Sequence, residues 1–221
     1  RNIKKQNEIK KIFLKKKRRV KRMRALVTDI ERGDTFDGPG IRTVVYFKGC
    51  PLRCLWCSNP ETQKLENEFW DYEGSLYKGN RTSCSDCLTT STLKKVAKDM
   101  TLEEVFTIVM KDENFYRNSG GGVTLSGGEV LVNSAFAIKL FEKLKDEYVN
   151  TAIETTGYGS YRELEKLAKL TDTILFVSFP LSLIFSYVTE KSVKVFISIT
   201  AFFKICFSKS KNLSYLSFAF R

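Results

Sequence analysis

Residues 41–61 of the chain are IRTVVYFKGCPLRCLWCSNPE. Its first seven residues are mostly β-branched or aromatic, a composition typical of a buried strand. Three cysteines follow at once, Cys50, Cys54 and Cys57, separated by three and then two residues. The stretch therefore predicts a strand that ends in a cysteine-bearing loop.

Apolar periodicity after this stretch predicts alternating helices and strands. Thr101 and Glu104 form a capping-box pattern at the start of an amphipathic run, which predicts a helix over 101–112. Val123 and Leu125 predict a short strand between two glycine clusters. The same criteria predict helices at 133–147 and 160–170, a strand at 150–159 that ends in a glycine turn, and strands at 172–179 and 192–200.

Strands that alternate with helices along a chain build a parallel sheet, so the predicted fold class is α/β. In such sheets and barrels the functional residues gather at the carboxyl ends of the strands. The cysteine loop, the SGGE segment at 126–129 and the ETTG segment at 154–157 each follow a predicted strand. We expect these three segments to meet at one edge of the sheet.

The positive charge is concentrated at the start of the chain. The net charge is +12, and residues 1–22 hold twelve Lys or Arg but only one acidic residue, Glu8. Such a run is read as a basic arm for nucleic acid or an anionic membrane, or as a solvated, disordered extension. We favour a third interpretation, in which Met23 is the start of the protein and the upstream residues are not normally translated.

The numbers and positions of the histidines and cysteines exclude some catalytic and metal-binding chemistries and indicate the cellular compartment. The chain has no histidine, which excludes His-based triads and His metal sites. Five of its six cysteines lie in two tight clusters, as metal ligands do, rather than spread along the chain. This pattern indicates a reducing compartment, and we expect a cytoplasmic protein.

Three thiolates at the observed spacing suit a [4Fe–4S] cluster with one open position. Clusters that only transfer electrons are fully ligated by protein. An open coordination position is how metal enzymes admit a substrate. The open iron could chelate a small molecule through an amine and a carboxylate.

The same residues carry a family resemblance. Three segments resemble the glycyl-radical-enzyme activating enzymes of the radical S-adenosylmethionine superfamily, of the pyruvate formate-lyase activase type. They are FDGPGIRTVVYFKGCPLRCLWCSNPE at 36–61, KDENFYRNSGGGVTLSGGE at 111–129 and AIETTGYG at 152–159. The resemblance extends from Met23 to about Phe176.

The resemblance implies a partial (β/α) barrel of the radical S-adenosylmethionine type. We expect a core at 23–177 with a short cysteine-containing insert at about 62–100. Residues 178–221 contain no Gly or Asp and one acidic residue, Glu190. We interpret them as an atypical segment and expect the barrel to be truncated after the fourth strand.

The resemblance also implies the site and the reaction. Cys50, Cys54 and Cys57 would bind the [4Fe–4S] cluster, and S-adenosylmethionine would chelate its open iron. Further cofactor-binding positions are Trp56, Cys57 and Ser58 along the nucleoside, the turn Gly127, Gly128 and Glu129 at the methionine amino group, and Glu154. Reductive cleavage would give a 5′-deoxyadenosyl radical, which removes a hydrogen atom from a glycine of a partner enzyme.

The implied partners follow from that reaction. They are a glycyl radical enzyme as protein substrate and a flavodoxin- or ferredoxin-like electron donor. We expect no nucleic acid, no membrane contact and a monomer.

Two features leave alternatives open. Cys84 and Cys87 are too few for a second closed cluster, but with Cys54 and Cys57 they form a possible zinc site. Relatives continue the fourth strand into Asp-Leu-Lys, which contacts S-adenosylmethionine, whereas this chain continues after Phe176 into Val-Ser-Phe. We therefore expect weak activity, and the alternative is a catalytically inactive iron–sulfur or zinc module.

Overall fold

The computed structural model describes residues 23–70, 94–177 and 194–197, the last through its backbone. In these ranges, seven strands form the main sheet in the order β5-β1-β2-β6-β7-β8-β9, and β3 and β4 pair separately. The strands are β1 Arg24–Asp34, β2 Arg42–Phe47, β3 Phe69–Trp70, β4 Lys94–Lys95, β5 Lys98–Thr101, β6 Gly122–Gly127, β7 Asn150–Thr155, β8 Thr173–Phe176 and β9 Lys194–Ile197.

The central part of the sheet is parallel, as predicted. β2 pairs in parallel with β6, and the parallel pairing continues through β7 and β8 to β9. β9 confirms the strand predicted within 192–200, so the sheet extends one parallel strand beyond the fourth. The mixed α/β architecture agrees with a partial radical S-adenosylmethionine-type fold.

One edge of the sheet is antiparallel, and the sequence did not reveal it. β1 pairs antiparallel with both β2 and β5. Only Ala25 and Val27 of β1 are fully buried, so its sequence lacks a strong apolar alternation. Its conformation depends instead on main-chain pairing with two neighbours, which is a tertiary effect.

Within the described residues, four α-helices pack against the sheet and contribute to its core. They are α1 Leu102–Val109, α2 Glu113–Ser119, α3 Ser134–Asp146 and α4 Tyr161–Ala168. α1 begins with the predicted capping box, in which Thr101 Oγ1 accepts from Glu104 N at 3.2 Å and Glu104 Oε2 accepts from Thr101 N at 2.7 Å. The prediction did not include α2, which ends at Gly120 in a left-handed conformation with φ 69°.

The core lies between these helices and the strands. Alternate strand residues such as Val45, Leu125 and Ile153 pack against helical residues such as Leu140 and Phe141 in one apolar cluster. Because side chains alternate along a strand, the intervening residues face the opposite side of the sheet. That opposite side carries polar groups of the central strands, including Tyr46, Ser126 and Glu154.

Several predicted features fall outside the described residues. These are the basic extension at 1–22, the pair Cys84 and Cys87, and residues 178–221 apart from β9. None of the helices within the described ranges has the length and apolar character that a bilayer crossing requires.

Candidate functional site

Three loops meet at the carboxyl edge of the parallel sheet. β2, β6 and β7 are neighbours, and the cysteine loop, the SGGE segment and the ETTG segment follow their respective carboxyl ends. Gly128 N donates to Phe47 O at 2.7 Å, and Glu129 N donates to Gly49 O at 3.0 Å. The backbone of the GGE turn is therefore hydrogen-bonded to the start of the cysteine loop.

The two glycines of the turn are required by this close approach. A Cβ on Gly127 would lie 2.6 Å from both Phe47 N and Phe47 O, and one on Gly128 would lie 2.3 Å from Gly49 O. Gly127 also has φ 95°, which non-glycine residues rarely adopt. The glycines thus let two segments of the chain itself come together at this edge.

Glu129 connects the GGE turn to the end of β7. Glu129 is only 1% exposed. Its carboxylate accepts from Leu131 N at 3.1 Å, Thr155 Oγ1 at 2.5 Å, Thr156 N at 2.9 Å and Thr156 Oγ1 at 2.6 Å. We predicted a contact between this turn and an amino group. In the structure, four donors of the chain already surround the carboxylate.

The cysteine loop carries the candidate metal ligands. Cys50, Cys54 and Cys57 are all free thiols of intermediate burial. Burial, and to a smaller extent the nearby Glu129 and the other two thiols, raise the pKa of Cys50. Inside the loop, Cys57 N donates to Cys54 O at 3.2 Å.

Three cysteine thiols are the type of ligand that holds an iron–sulfur cluster, so the side chains present are chemically suitable. The three thiols lie on one loop of eight residues that is partly open to solvent. Within the described ranges, no three Cys, Asp or Glu side chains are grouped closely enough to hold a metal. That criterion applies to a single ion, whereas the three thiolates of a [4Fe–4S] cluster each bind a different iron. Cys84 and Cys87 lie outside the described residues.

The other predicted cofactor contacts lie around the loop and turn. Trp56 is 48% exposed, and Ser58 is also exposed. Glu154, near the end of β7, accepts a hydrogen bond from Ser126 Oγ. The roles predicted for Trp56, Ser58 and Glu154 remain predictions.

The structure adds a polar group that the sequence reasoning missed. Tyr46 OH lies 3.2 Å from Glu31 Oε2 and 3.4 Å from Asp37 Oδ2, on the sheet face away from the helices. Burial, with the adjacent Asp37 and Glu31 carboxylates, raises the pKa of Tyr46. The alternation within IRTVVYF places Tyr46 opposite the core positions, but its partners come from β1 and the following loop.

The chain matches the model of a known protein family over residues 36–184, described as a 4Fe-4S single cluster domain. The match covers the cysteine loop, the GGE turn and the sheet strands from β2 to β8. The chain therefore belongs to the 4Fe-4S single cluster domain family.

The chain is also similar to curated activating enzymes. It is 37% identical over 189 residues to the choline trimethylamine-lyase activating enzyme of Oleidesulfovibrio alaskensis, which covers 69% of this chain and 59% of the relative. It is 40% identical over 162 residues to the pyruvate formate-lyase 2-activating enzyme of Escherichia coli, covering 69% and 52% respectively. The match to the pyruvate formate-lyase-activating enzyme of Clostridium pasteurianum is 37% over 149 residues, covering 67% and 50%.

These relatives confirm the resemblance to glycyl-radical-enzyme activating enzymes. They also confirm the predicted cofactors, a [4Fe–4S] cluster and S-adenosylmethionine. The chain spans only 50 to 59% of the length of these three relatives.

Proposed function

We propose that this chain carries the cluster- and S-adenosylmethionine-binding part of an enzyme that activates a glycyl radical enzyme. The observation that supports this best is the contact between the cysteine loop and the GGE turn, through Gly128 N to Phe47 O at 2.7 Å and Glu129 N to Gly49 O at 3.0 Å. It brings the candidate cluster ligands beside the candidate methionine subsite. When bound, the cluster supplies one electron from a flavodoxin- or ferredoxin-like donor, which cleaves S-adenosylmethionine so that a glycine of the partner can lose a hydrogen atom.

The residues of the chain position these groups. Cys50, Cys54 and Cys57 hold the cluster and leave one coordination position open. The GGE turn offers main-chain groups to the methionine end of the cofactor, because the carboxylate of Glu129 is held by four donors of the chain. The backbone around Trp56, Cys57 and Ser58 would lie along the nucleoside, and the half-exposed indole of Trp56 is available to contact it.

The segment after β8 limits the proposed activity. β8 ends at Phe176 and Val177 follows. The resemblance implies Asp-Leu-Lys at this position. That change removes a cofactor contact that the resemblance implies, and water that enters an incompletely closed site interferes with the reaction. We therefore propose that S-adenosylmethionine binds weakly and that little glycyl radical forms.

Cluster assembly is the direct test of the site. The full chain is reconstituted anaerobically with iron and sulfide, and iron, sulfide and zinc are counted per chain. About four irons are expected for a cluster of this type. Cys50→Ala, Cys54→Ala and Cys57→Ala should each abolish assembly, whereas Cys84→Ala and Cys87→Ala should not. Zinc without iron, or equal dependence on all five cysteines, would overturn the assignment.

Radical formation is tested separately. The reconstituted protein is mixed with a reductant, S-adenosylmethionine and a candidate glycyl radical enzyme, and the electron paramagnetic resonance spectrum is recorded. We expect at most a weak glycyl doublet. A doublet of full strength would show that Val177 and the residues after it complete the site despite the missing Asp-Leu-Lys.

A further inference from the structure

A lysine is buried directly before the cysteine loop. Lys48 follows β2, and its side chain is 0% exposed. Its Nζ donates to Glu61 O at 2.5 Å and to Glu68 Oε2 at 3.0 Å. An ammonium group in a buried position requires such partners, because its desolvation is otherwise strongly unfavourable.

These contacts join the two ends of the cysteine loop. Glu61 and Glu68 lie after the last cysteine of the loop, 13 and 20 residues beyond Lys48. Two main-chain bonds run beside them, from Gly49 N to Thr62 O at 2.6 Å and from Cys50 N to Gln63 O at 2.9 Å. All three cysteines therefore lie within a loop whose base is closed by hydrogen bonds.

Between Pro51 and Cys57 the hydrogen bonds are local to the loop. They run from Cys57 N to Cys54 O at 3.2 Å and from Arg53 Nη1 to the carbonyls of Cys50 and Leu52 at 2.8 and 2.7 Å. Nearer the base, Asn59 O accepts from Thr62 N at 3.0 Å and from Thr62 Oγ1 at 2.7 Å. Leu55 at the tip is 99% exposed. A flexible loop closes at lower entropic cost when its ends are already held together. The position of the thiols thus depends mainly on the base.

Glu68 has two lysine partners in very different surroundings. The Glu68 side chain is 12% exposed, whereas the Lys64 side chain, whose Nζ lies 2.8 Å from Glu68 Oε1, is 65% exposed. Exposed ion pairs contribute little to stability. Loss of Lys48 leaves Glu68 with a solvent-exposed partner only, while loss of Lys64 leaves the buried pair intact. Lys64 is therefore a matched control for Lys48.

We propose that Lys48 and Glu68 are positioning residues for the cysteine loop, which hold its two ends so that the three thiols can close around an iron–sulfur cluster. This inference rests on the proposed function for its cluster but not for its geometry. The side-chain contacts of the pair are with each other, with Glu61 O and with Lys64. It acts by restricting the conformations that the loop can adopt.

The first experiment measures how firmly the cluster is held. The full chain, Lys48→Met, Glu68→Gln and Lys64→Met are reconstituted anaerobically, and the rate of iron loss to a ferrous chelator is followed. Lys48→Met and Glu68→Gln should lose iron about tenfold faster, the change expected when a charge-assisted hydrogen bond is lost. Lys64→Met should change the rate by less than about twofold. Equal rates in all four proteins would overturn the proposal.

A general loss of stability must be separated from a local effect. Asp112→Asn perturbs a buried network at the amino ends of the strands, away from the loop, and serves as the destabilised comparison. At matched reductions in melting temperature, Lys48→Met should lose iron faster than Asp112→Asn. The same rate in both variants would show that Lys48 has a purely structural role.

A second readout does not need a cluster. In the metal-free chain, alkylation of each cysteine is timed by peptide mass spectrometry. Lys48→Met should speed the labelling of Cys50, whose N–H is bonded to Gln63 O, while Lys64→Met should not. If the wild-type chain takes up no iron but Cys50 labelling follows this pattern, the proposed function fails and the positioning role stands. Unchanged Cys50 labelling in Lys48→Met would refute the positioning role.

Discussion

The two ends of the parallel strands are built differently. At the amino ends, Arg42 is 0% exposed, and its guanidinium donates to Thr124 Oγ1 at 2.7 Å, Asn150 Oδ1 at 3.0 Å, and the carbonyls of Pro39 and Val123 at 2.9 and 3.0 Å. At the carboxyl ends, the chain instead forms glycine turns and a cysteine loop with an exposed tip.

A second buried network reinforces the amino edge. Asp112 is 3% exposed and accepts from Arg32 at 2.8 and 2.5 Å and from Thr43 Oγ1 at 2.7 Å. The hydroxyl of Tyr116 joins this network. It lies 2.6 Å from Thr43 Oγ1 and 2.7 Å from Val109 O, and its single proton is shared between these two acceptors. Buried polar groups with complete hydrogen bonding hold a single arrangement. The carboxyl edge also has buried polar groups, Glu129 and Lys48, but they flank a cysteine loop whose tip at Leu55 is exposed. The two edges therefore differ in this exposed loop, which the amino edge lacks.

The largest effect is expected at the amino edge, from Arg42→Met. Burial lowers the pKa of Arg42 to about 10, so the guanidinium remains charged at neutral pH. The substitution leaves several buried acceptors without a donor, and the free energy of unfolding should fall by about 3 kcal/mol. Urea unfolding measures this loss of stability. The control is Arg24→Met, because Arg24 forms an exposed ion pair with Asp99. A loss no larger than that of the control would contradict the contrast between the edges.

Glu129→Gln tests the most constrained group of the carboxyl edge. The amide retains the shape but places an NH2 group among four donors, so one or more hydrogen bonds must be lost. We expect a loss of about 2 kcal/mol in the free energy of unfolding, together with weaker S-adenosylmethionine binding. Urea unfolding and calorimetric titration measure the two effects. Wild-type affinity alongside reduced stability would show that the Glu129 carboxylate does not position the turn for the cofactor.

Asp112→Asn should lower the free energy of unfolding by about 1 to 2 kcal/mol at neutral pH, and by less in acid. Hydrogen bonds from Arg32, and also from Thr43, hold the pKa of Asp112 below its usual 3.8 despite its burial. A depressed carboxyl pKa stabilises the folded protein above the usual value, and this contribution disappears as the pH falls through the lowered pKa. The difference in unfolding free energy between wild type and variant should therefore narrow below about pH 4. A difference that stays constant in acid would mean that the charge of Asp112 contributes nothing.

Trp56→Ala should have the smallest effect on stability, within about 0.5 kcal/mol, because its side chain is half exposed on the loop. Its effect on the cofactor should be larger. We expect S-adenosylmethionine affinity to fall by about tenfold if the indole covers the nucleoside. Calorimetric titration of the reconstituted variant, beside Leu55→Ala as the neighbouring exposed control, separates the two effects. Equal affinities in both variants would remove Trp56 from the site.

Local patterns were sufficient for much of the sheet and for the assembly of the site. The β-branched run before Cys50, the pair Val123 and Leu125, and the capping box at Thr101 predicted elements that the structure confirms. Parallel neighbours place their carboxyl ends at one edge, so the meeting of the cysteine loop with the GGE and ETTG segments also followed from the order of elements. These features depend on side-chain periodicity and chain order, which a sequence contains directly.

The hydrogen-bond partners of the individual polar groups follow from the tertiary structure and could not be predicted from the sequence. β1 is a strand because two neighbours pair with it, although few of its side chains are buried. The sequence predicts that the turn containing Glu129 receives an amino group, and this stays a prediction. The hydrogen bonds of the Glu129 carboxylate with Thr155, Thr156 and Leu131 come from tertiary contacts that the sequence does not show. In the sequence, Lys48 is an ordinary charged residue next to Gly49. Its burial and its ion pair with Glu68, 20 residues away, are visible only in the folded chain. Periodicity reports which face a side chain occupies, whereas its hydrogen-bond partners are set by contacts between segments distant in the chain.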